Sequence, residues 1–158
     1  MSPMLTDGLN HVAVITKDAD RLFEFYAAVF GAEKSVEIVD GPPDDQFRLM
    51  IIDVGPHSEL NVFEMRNNPE ADRQTPMFGR GRLDHLALNA SDIGAFEEIR
   101  RRLMARGAAD DFVTDFGKVF SVFFRDPDGL ECEVCVRNPD WIPGTVNPPG
   151  TPATRFTS

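Results

Sequence analysis

Two histidines in closely matching surroundings are the residues of this chain best suited to chemistry. His11 lies in Leu9-Asn10-His11-Val12-Ala13-Val14, and His85 lies 74 positions on in Leu83-Asp84-His85-Leu86-Ala87-Leu88. In an extended strand His11 shares a face with Ala13 and Ile15, and His85 with Ala87, while Val12, Val14, Leu86 and Leu88 point the other way. A second match, at a spacing of 72, sets Glu59-Leu60-Asn61-Val62-Phe63 against Glu131-Cys132-Glu133-Val134-Cys135. Asn61 is thereby the counterpart of Glu133, as His11 is of His85. Two imidazoles and one carboxylate form a ligand set for a divalent first-row metal and leave positions open for substrate, water or oxygen. The neutral amide of Asn61 in the fourth place is a weak ligand or none. The bland reading stands beside this one: a strand histidine is more often a core or surface residue, and Glu131 with Glu133 can be the solvated face of an antiparallel sheet.

The repeat that aligns these residues also predicts the elements that carry them. A strand over 8–16 precedes a helix over 18–30, in which Leu22, Phe25, Tyr26 and Val29 recur at helical spacing and Gly31 supplies the stop. Strands follow over 33–40, 46–54 and 59–65, separated by Gly41-Pro42-Pro43-Asp44-Asp45 and Gly55-Pro56-His57-Ser58. The second copy predicts a strand over 82–90 and a helix from a cap at Ser91 or Asp92 to Arg106, with Phe96, Ile99, Leu103 and Met104 as its apolar positions. Strands over 109–115, 118–125 and 129–136 complete it, the last two joined by the strong turn signal Asp126-Pro127-Asp128-Gly129. Each half reads β-α-β-β-β. The organisation is therefore a first module over 1–66, a linker over 67–81, a second module over 82–137, and a Pro-rich arm over 138–158 that is irregular or disordered. The fold class is α+β: two tandem modules whose curved mixed sheets enclose a metal or ligand cleft.

Composition narrows the function. A net charge of −10, with 26 acidic and 16 basic residues and no basic run, argues against a nucleic-acid partner. No apolar stretch reaches membrane-spanning length, and Met1-Ser2-Pro3 and the residues after it lack a leader's basic and apolar regions, so a cytoplasmic protein is expected. Cys132 and Cys135 spell C-x-x-C but fall on opposite faces of a strand, where they neither chelate one metal nor form a disulfide. Arg48 and Arg125 are candidates for an anionic substrate or simply solvated strand residues. Trp141 and Phe156 in the arm are candidates for capping a cavity or packing at a subunit contact.

The doubled module, the two L-x-H openings and the Asp126-Pro127-Asp128-Gly129-Leu130-Glu131-Cys132-Glu133 segment resemble the vicinal-oxygen-chelate superfamily over about residues 8–137. That superfamily includes glyoxalases, extradiol dioxygenases, epimerases, and fosfomycin and bleomycin resistance proteins. The resemblance implies that His11, His85 and Glu133 hold one divalent metal per chain, among Fe(II), Mn, Ni, Co and Zn. It places Asn61 where glyoxalase-like members have a carboxylate. Glyoxalases and epimerases move a proton on carbon with a base near the metal, a task Asn61 cannot perform and Glu133 can. The His/His/Glu set is closer to that of extradiol dioxygenases, which also use a second histidine and a tyrosine near the metal. Here the remaining histidine is His57, in a turn, and the one tyrosine, Tyr26, belongs to a core face. The expected protein is thus a metal-dependent lyase, isomerase or dioxygenase acting on a small substrate chelated through neighbouring oxygens. The alternative from another class is a non-catalytic binding protein that sequesters an antibiotic or metabolite. A homodimer is expected, with the arm available to reach a neighbour.

Overall fold

A computed structural model describes residues 4–65 and 67–157, so Met1-Ser2-Pro3 lies outside the described residues. The chain divides into two compact units, Met1–Arg73 and Gln74–Ser158.

The first unit runs β1 (His11–Thr16), α1 (Ala19–Phe30), β2 (Glu33–Asp40), β3 (Phe47–Gly55) and β4 (Ser58–Met65). The strands form one sheet in the order β1-β4-β3-β2, with β1 parallel to β4 and the other pairs antiparallel. The helix starts where Asp18 accepts the Arg21 amide at 2.9 Å, and it stops at Gly31, whose φ of 72° suits a residue without a Cβ. Its apolar face, Leu22, Phe25, Tyr26 and Val29, is buried with Met50, Ile52, Leu60 and Val62, the alternate residues of β3 and β4. The opposite faces of β1 and β4 carry His11, Ala13 and Asn61.

The second unit repeats this arrangement with β5 (Leu86–Asn89), α2 (Ile93–Ala105), β6 (Thr114–Asp115), β7 (Val119–Arg125) and β8 (Glu131–Arg137). Its order is β5-β8-β7-β6, with β5 parallel to β8. Asp92 caps α2 by accepting the Ala95 amide at 2.8 Å. Three elements are shorter than the sequence suggests, the first being β1, expected from residue 8 and begun at His11. The strand expected from residue 82 begins only at Leu86, because the Asp84 carbonyl accepts Arg80 Nη1 at 2.8 Å instead of joining the sheet. The strand expected from residue 109 is interrupted where the Asp110 carboxylate accepts the Phe112 amide at 3.0 Å and closes a local turn. Met104, expected on the apolar face of α2, is 40% exposed at its margin.

The arm after Arg137 has little regular structure, as its composition suggests, yet it folds back on its own unit. Ala153 N–H donates to Val113 at 3.0 Å, Asp115 N–H donates to Thr151 at 2.8 Å, and Thr114 bridges Pro152, which covers the edge of β6. Phe156 is 9% exposed, with its ring 5.4 Å from Phe96 and 5.1 Å from Phe120. Few apolar residues are needed for such docking when each is aromatic. Phe156→Ala is accordingly expected to lower the unfolding free energy by about 3 kcal/mol in urea titration. An unchanged midpoint would show that the arm adds nothing to the core.

Candidate metal centre

Glu133 is delivered by register. The β5–β8 pairing sets Ala87 opposite Glu133, and the β7–β8 pairing sets Phe123 opposite Glu133 and Ser121 opposite Cys135. Cys132, Val134 and Val136 fill the helix side of β8, so Glu133 and Cys135 share the other face with Glu131. The turn before the strand is tied by Asp126, which accepts the amides of Asp128 and Leu130 at 2.9 Å each.

Glu133 is 8% exposed, and its two oxygens have separate neighbours. Oε1 accepts the Ser121 hydroxyl. Oε2 lies 3.2 Å from His85 Nε2, and His85 Nδ1 donates to Asp84 Oδ2 at 2.7 Å. The other Asp84 oxygen accepts the Phe78 amide. The His85 imidazole, followed by that amide, holds the Asp84 carboxyl below its usual range, so Asp84 is a carboxylate. With Nδ1 bonded to Asp84, the contact between Nε2 and the Glu133 carboxylate is satisfied either by a proton on Nε2 or by a metal cation shared between the two atoms. Two ligands each about 2.1 Å from a metal and subtending about 90–110° lie roughly 3.0–3.4 Å apart, a span that includes the His85–Glu133 separation. The pair fits a divalent metal.

The neighbouring groups are otherwise engaged. Glu131 accepts the Met77 amide at 2.6 Å and Arg125 at 2.9 Å, and these contacts, the amide foremost, hold its carboxyl low. Burial and then the Glu133 charge push the Cys135 thiol up to about 12, so without a metal it is a neutral thiol at neutral pH. Both cysteines are free thiols, as their opposite faces require. A cavity of about 430 Å³ lies beside the loop after α2, lined by Ala108, Asp110, Phe124, Arg125 and Glu131 among others, and neither His85 nor Glu133 lines it.

In the first unit His11 is exposed and donates from Nδ1 to Asn10 Oδ1 at 2.7 Å, the same relation to the preceding residue that His85 has to Asp84. Asn61 pairs with Ala13 as Glu133 pairs with Ala87, and its Oδ1 is buried without a hydrogen-bond partner. His57 is exposed in the β3–β4 turn. Among the described residues, no group of three His, Cys, Asp or Glu side chains is gathered as a metal site; the second unit brings together the pair His85–Glu133. Arg48 is engaged by Asp20 and Glu37, each at 2.7 Å, and Tyr26 is in the core. Sequence reasoning passed over three supporting residues. Asn10 and Asp84 were visible as the repeated Asx-His doublet, whereas Ser121 carries no signal until the β7–β8 register is known.

The model of the Glyoxalase/Bleomycin resistance protein/Dioxygenase superfamily matches residues 8–134. The chain belongs to this superfamily. A curated relative, 2-epi-5-epi-valiolone epimerase from Actinomyces sp., is 27% identical over 142 residues, covering 80% of this chain and 77% of that protein. Among solved structures, a glyoxylase/bleomycin resistance protein/dioxygenase domain from Frankia sp. EAN1pec is similar with a TM-score of 0.64 at 19% identity, covering 85% of this chain and 95% of that one. A glyoxalase family protein from Enterococcus faecalis has a TM-score of 0.62 at 26% identity, covering 84% and 99%. The superfamily match includes both histidine openings and Glu133, and it stops short of the arm.

The turn that introduces β8 has a pH signature. Burial raises the Asp126 carboxyl from 3.8 to about 6. A folded-state value above the unfolded one means that the folded protein binds more protons between those limits, so this group's contribution to stability is greatest below about pH 4 and declines through pH 6. Relative to the parent, Asp126→Asn is expected to remove that decline, gaining about 2–3 kcal/mol at pH 7 over its value at pH 4. Parallel stability curves for the two proteins would contradict the assignment.

Proposed function

We propose that the protein is a metal-dependent enzyme in which His11, His85 and Glu133 hold one divalent metal, with Asn61 in a weak fourth place. The substrate is a small molecule that chelates through neighbouring oxygens. The observation that carries the reading is the convergence of His85 Nε2 and Glu133 Oε2 at 3.2 Å, with the imidazole tautomer fixed by Asp84. His11 is included in the proposal as the counterpart of His85 in the repeat, with an Asx partner on Nδ1 as His85 has. A bound metal supplies Lewis acidity to the chelated oxygens, making an adjacent C–H more acidic. Asp84 keeps the His85 lone pair directed outward. Glu131 is held by Met77 and Arg125, so Glu133 is the remaining carboxylate on this face, and it exchanges a proton with the substrate carbon only on release of one oxygen from Ser121 or from the metal.

Proton transfer at carbon, as in an isomerase, epimerase or glyoxalase-like lyase, is the leading chemistry; the epimerase relative supports it. Extradiol-type oxygenation is the second reading, favoured by the neutral Asn61, and His57 is the remaining histidine for an acid–base role there. A metal-free binding protein is the alternative from another class.

Protein purified without chelators is expected to hold about one divalent metal per chain, and His85→Ala and Glu133→Ala to lose at least 10-fold in affinity with the fold retained. Metal content unchanged in both variants excludes the assignment. Loaded with Ni(II), Co(II) or Zn(II), the protein is expected to exchange substrate C–H for deuterium without oxygen uptake. Oxygen consumption with Fe(II) and catechols would select the dioxygenase reading, and ligand binding by metal-free protein with neither activity would select the binding protein. We further propose a cytoplasmic homodimer; two free thiols suit a reducing compartment. Since the arm docks on its own unit, light scattering is expected to give a dimer for the full chain and also for a chain ending at Asn138. A full-length monomer would refute the pairing.

A further inference from the structure

The second unit surrounds its metal-facing carboxylate with polar groups where the first unit has apolar ones. Ser121 and Cys135 face each other across β7 and β8, and the corresponding pair across β3 and β4 is Leu49 and Phe63. Ser121 is fully buried and its hydroxyl donates to Glu133 Oε1, whereas the counterpart amide oxygen, Asn61 Oδ1, is buried without a partner. A buried serine hydroxyl is retained at a desolvation cost unless its hydrogen bonds offset it. Ser121 bonds to Glu133 Oε1 and also to the Cys135 thiol that faces it.

We propose that Ser121 is a positioning residue of the metal centre, which acts through Glu133 by holding Oε1 so that Oε2 is presented toward His85 Nε2. The inference rests on the reading of His85 and Glu133 as metal ligands. A glutamate carboxylate rotates broadly about its last torsion, so an unanchored one must lose that freedom when it binds an ion. Anchored at Oε1, Glu133 has lost it already. The Asp84 bond to Nδ1 does the same for His85, so each ligand of the pair is oriented by one hydrogen bond on the atom that does not bind the ion. Leu49 has no donor with which to do this at Asn61. The asymmetry therefore assigns the strong carboxylate position to the second unit through a residue that touches neither metal nor substrate.

Ser121→Thr and Ser121→Val separate hydroxyl from shape, since the two side chains are nearly isosteric. The metal-free full-length chain, its fold checked by circular dichroism and melting temperature, is titrated with Co(II) and followed by calorimetry and visible absorption. The threonine variant is expected to remain within about 3-fold of the parent affinity, and the valine variant to bind about 10–100-fold more weakly with an altered absorption band. Equal affinity and identical spectra for the two variants overturn the proposal and leave the metal reading standing. A parent protein that binds no Co(II) overturns both. If the valine variant does not fold, Ser121→Ala takes its place with the same outcomes.

Discussion

The parallel pairing of the first and last strands of each unit is the constraint on which the site depends. A helix and two strands separate β5 from β8 in the chain, yet their register sets alanine opposite the residue proposed as a ligand, Ala87 by Glu133 and Ala13 by Asn61. A slip of one residue would turn Glu133 into the face now filled by Cys132, Val134 and Val136. That would leave a carboxylate among apolar side chains without a partner, at a cost of several kcal/mol. The apolar face thus enforces the position of the polar one. Alanine in the neighbouring strand leaves space beside the carboxylate that a larger side chain would fill.

Charge is distributed so that one carboxylate on this face is left for chemistry. Arg48 gathers Asp20, Glu37 and Glu64 around itself in the first unit, and Glu64 also accepts the Ala19 amide at the start of α1. Arg125 and the Met77 amide occupy Glu131. Asp84 is committed to His85 and Phe78. Glu133 alone among these contacts His85 Nε2, and the proposed metal site rests on that contact.

The fold was legible because repetition and periodicity report the same elements twice. Both helices end within a residue of their expected limits, since Asp18 and Asp92 cap them and glycines at 31 and 107 follow. The faces of His11 and Glu133 were legible too, because strand alternation needs no knowledge of partners, whereas His85 lies one residue before β5. What sequence could not give was the pairing register, and with it the role of Ser121, which lies 12 residues from Glu133 and touches it across two strands. The shortened β5 and β6 were hidden for a related reason. Asp84 and Asp110 divert backbone hydrogen bonds into local contacts that an apolar pattern does not encode. The arm was read as irregular from its prolines, and irregular it is, but aromatic docking by Phe156 orders it against α2 and β7.

The central claim is that His85 and Glu133, together with His11, ligate one divalent metal. Anomalous diffraction at the absorption edge of Co or Zn, on crystals of protein loaded with that ion, tests it most directly. The account predicts one strong peak per chain, about 2.0–2.2 Å from His85 Nε2, Glu133 Oε2 and a nitrogen of His11. A peak ligated by other side chains, or a fully loaded crystal with His85 still directly bonded to Glu133, would contradict it.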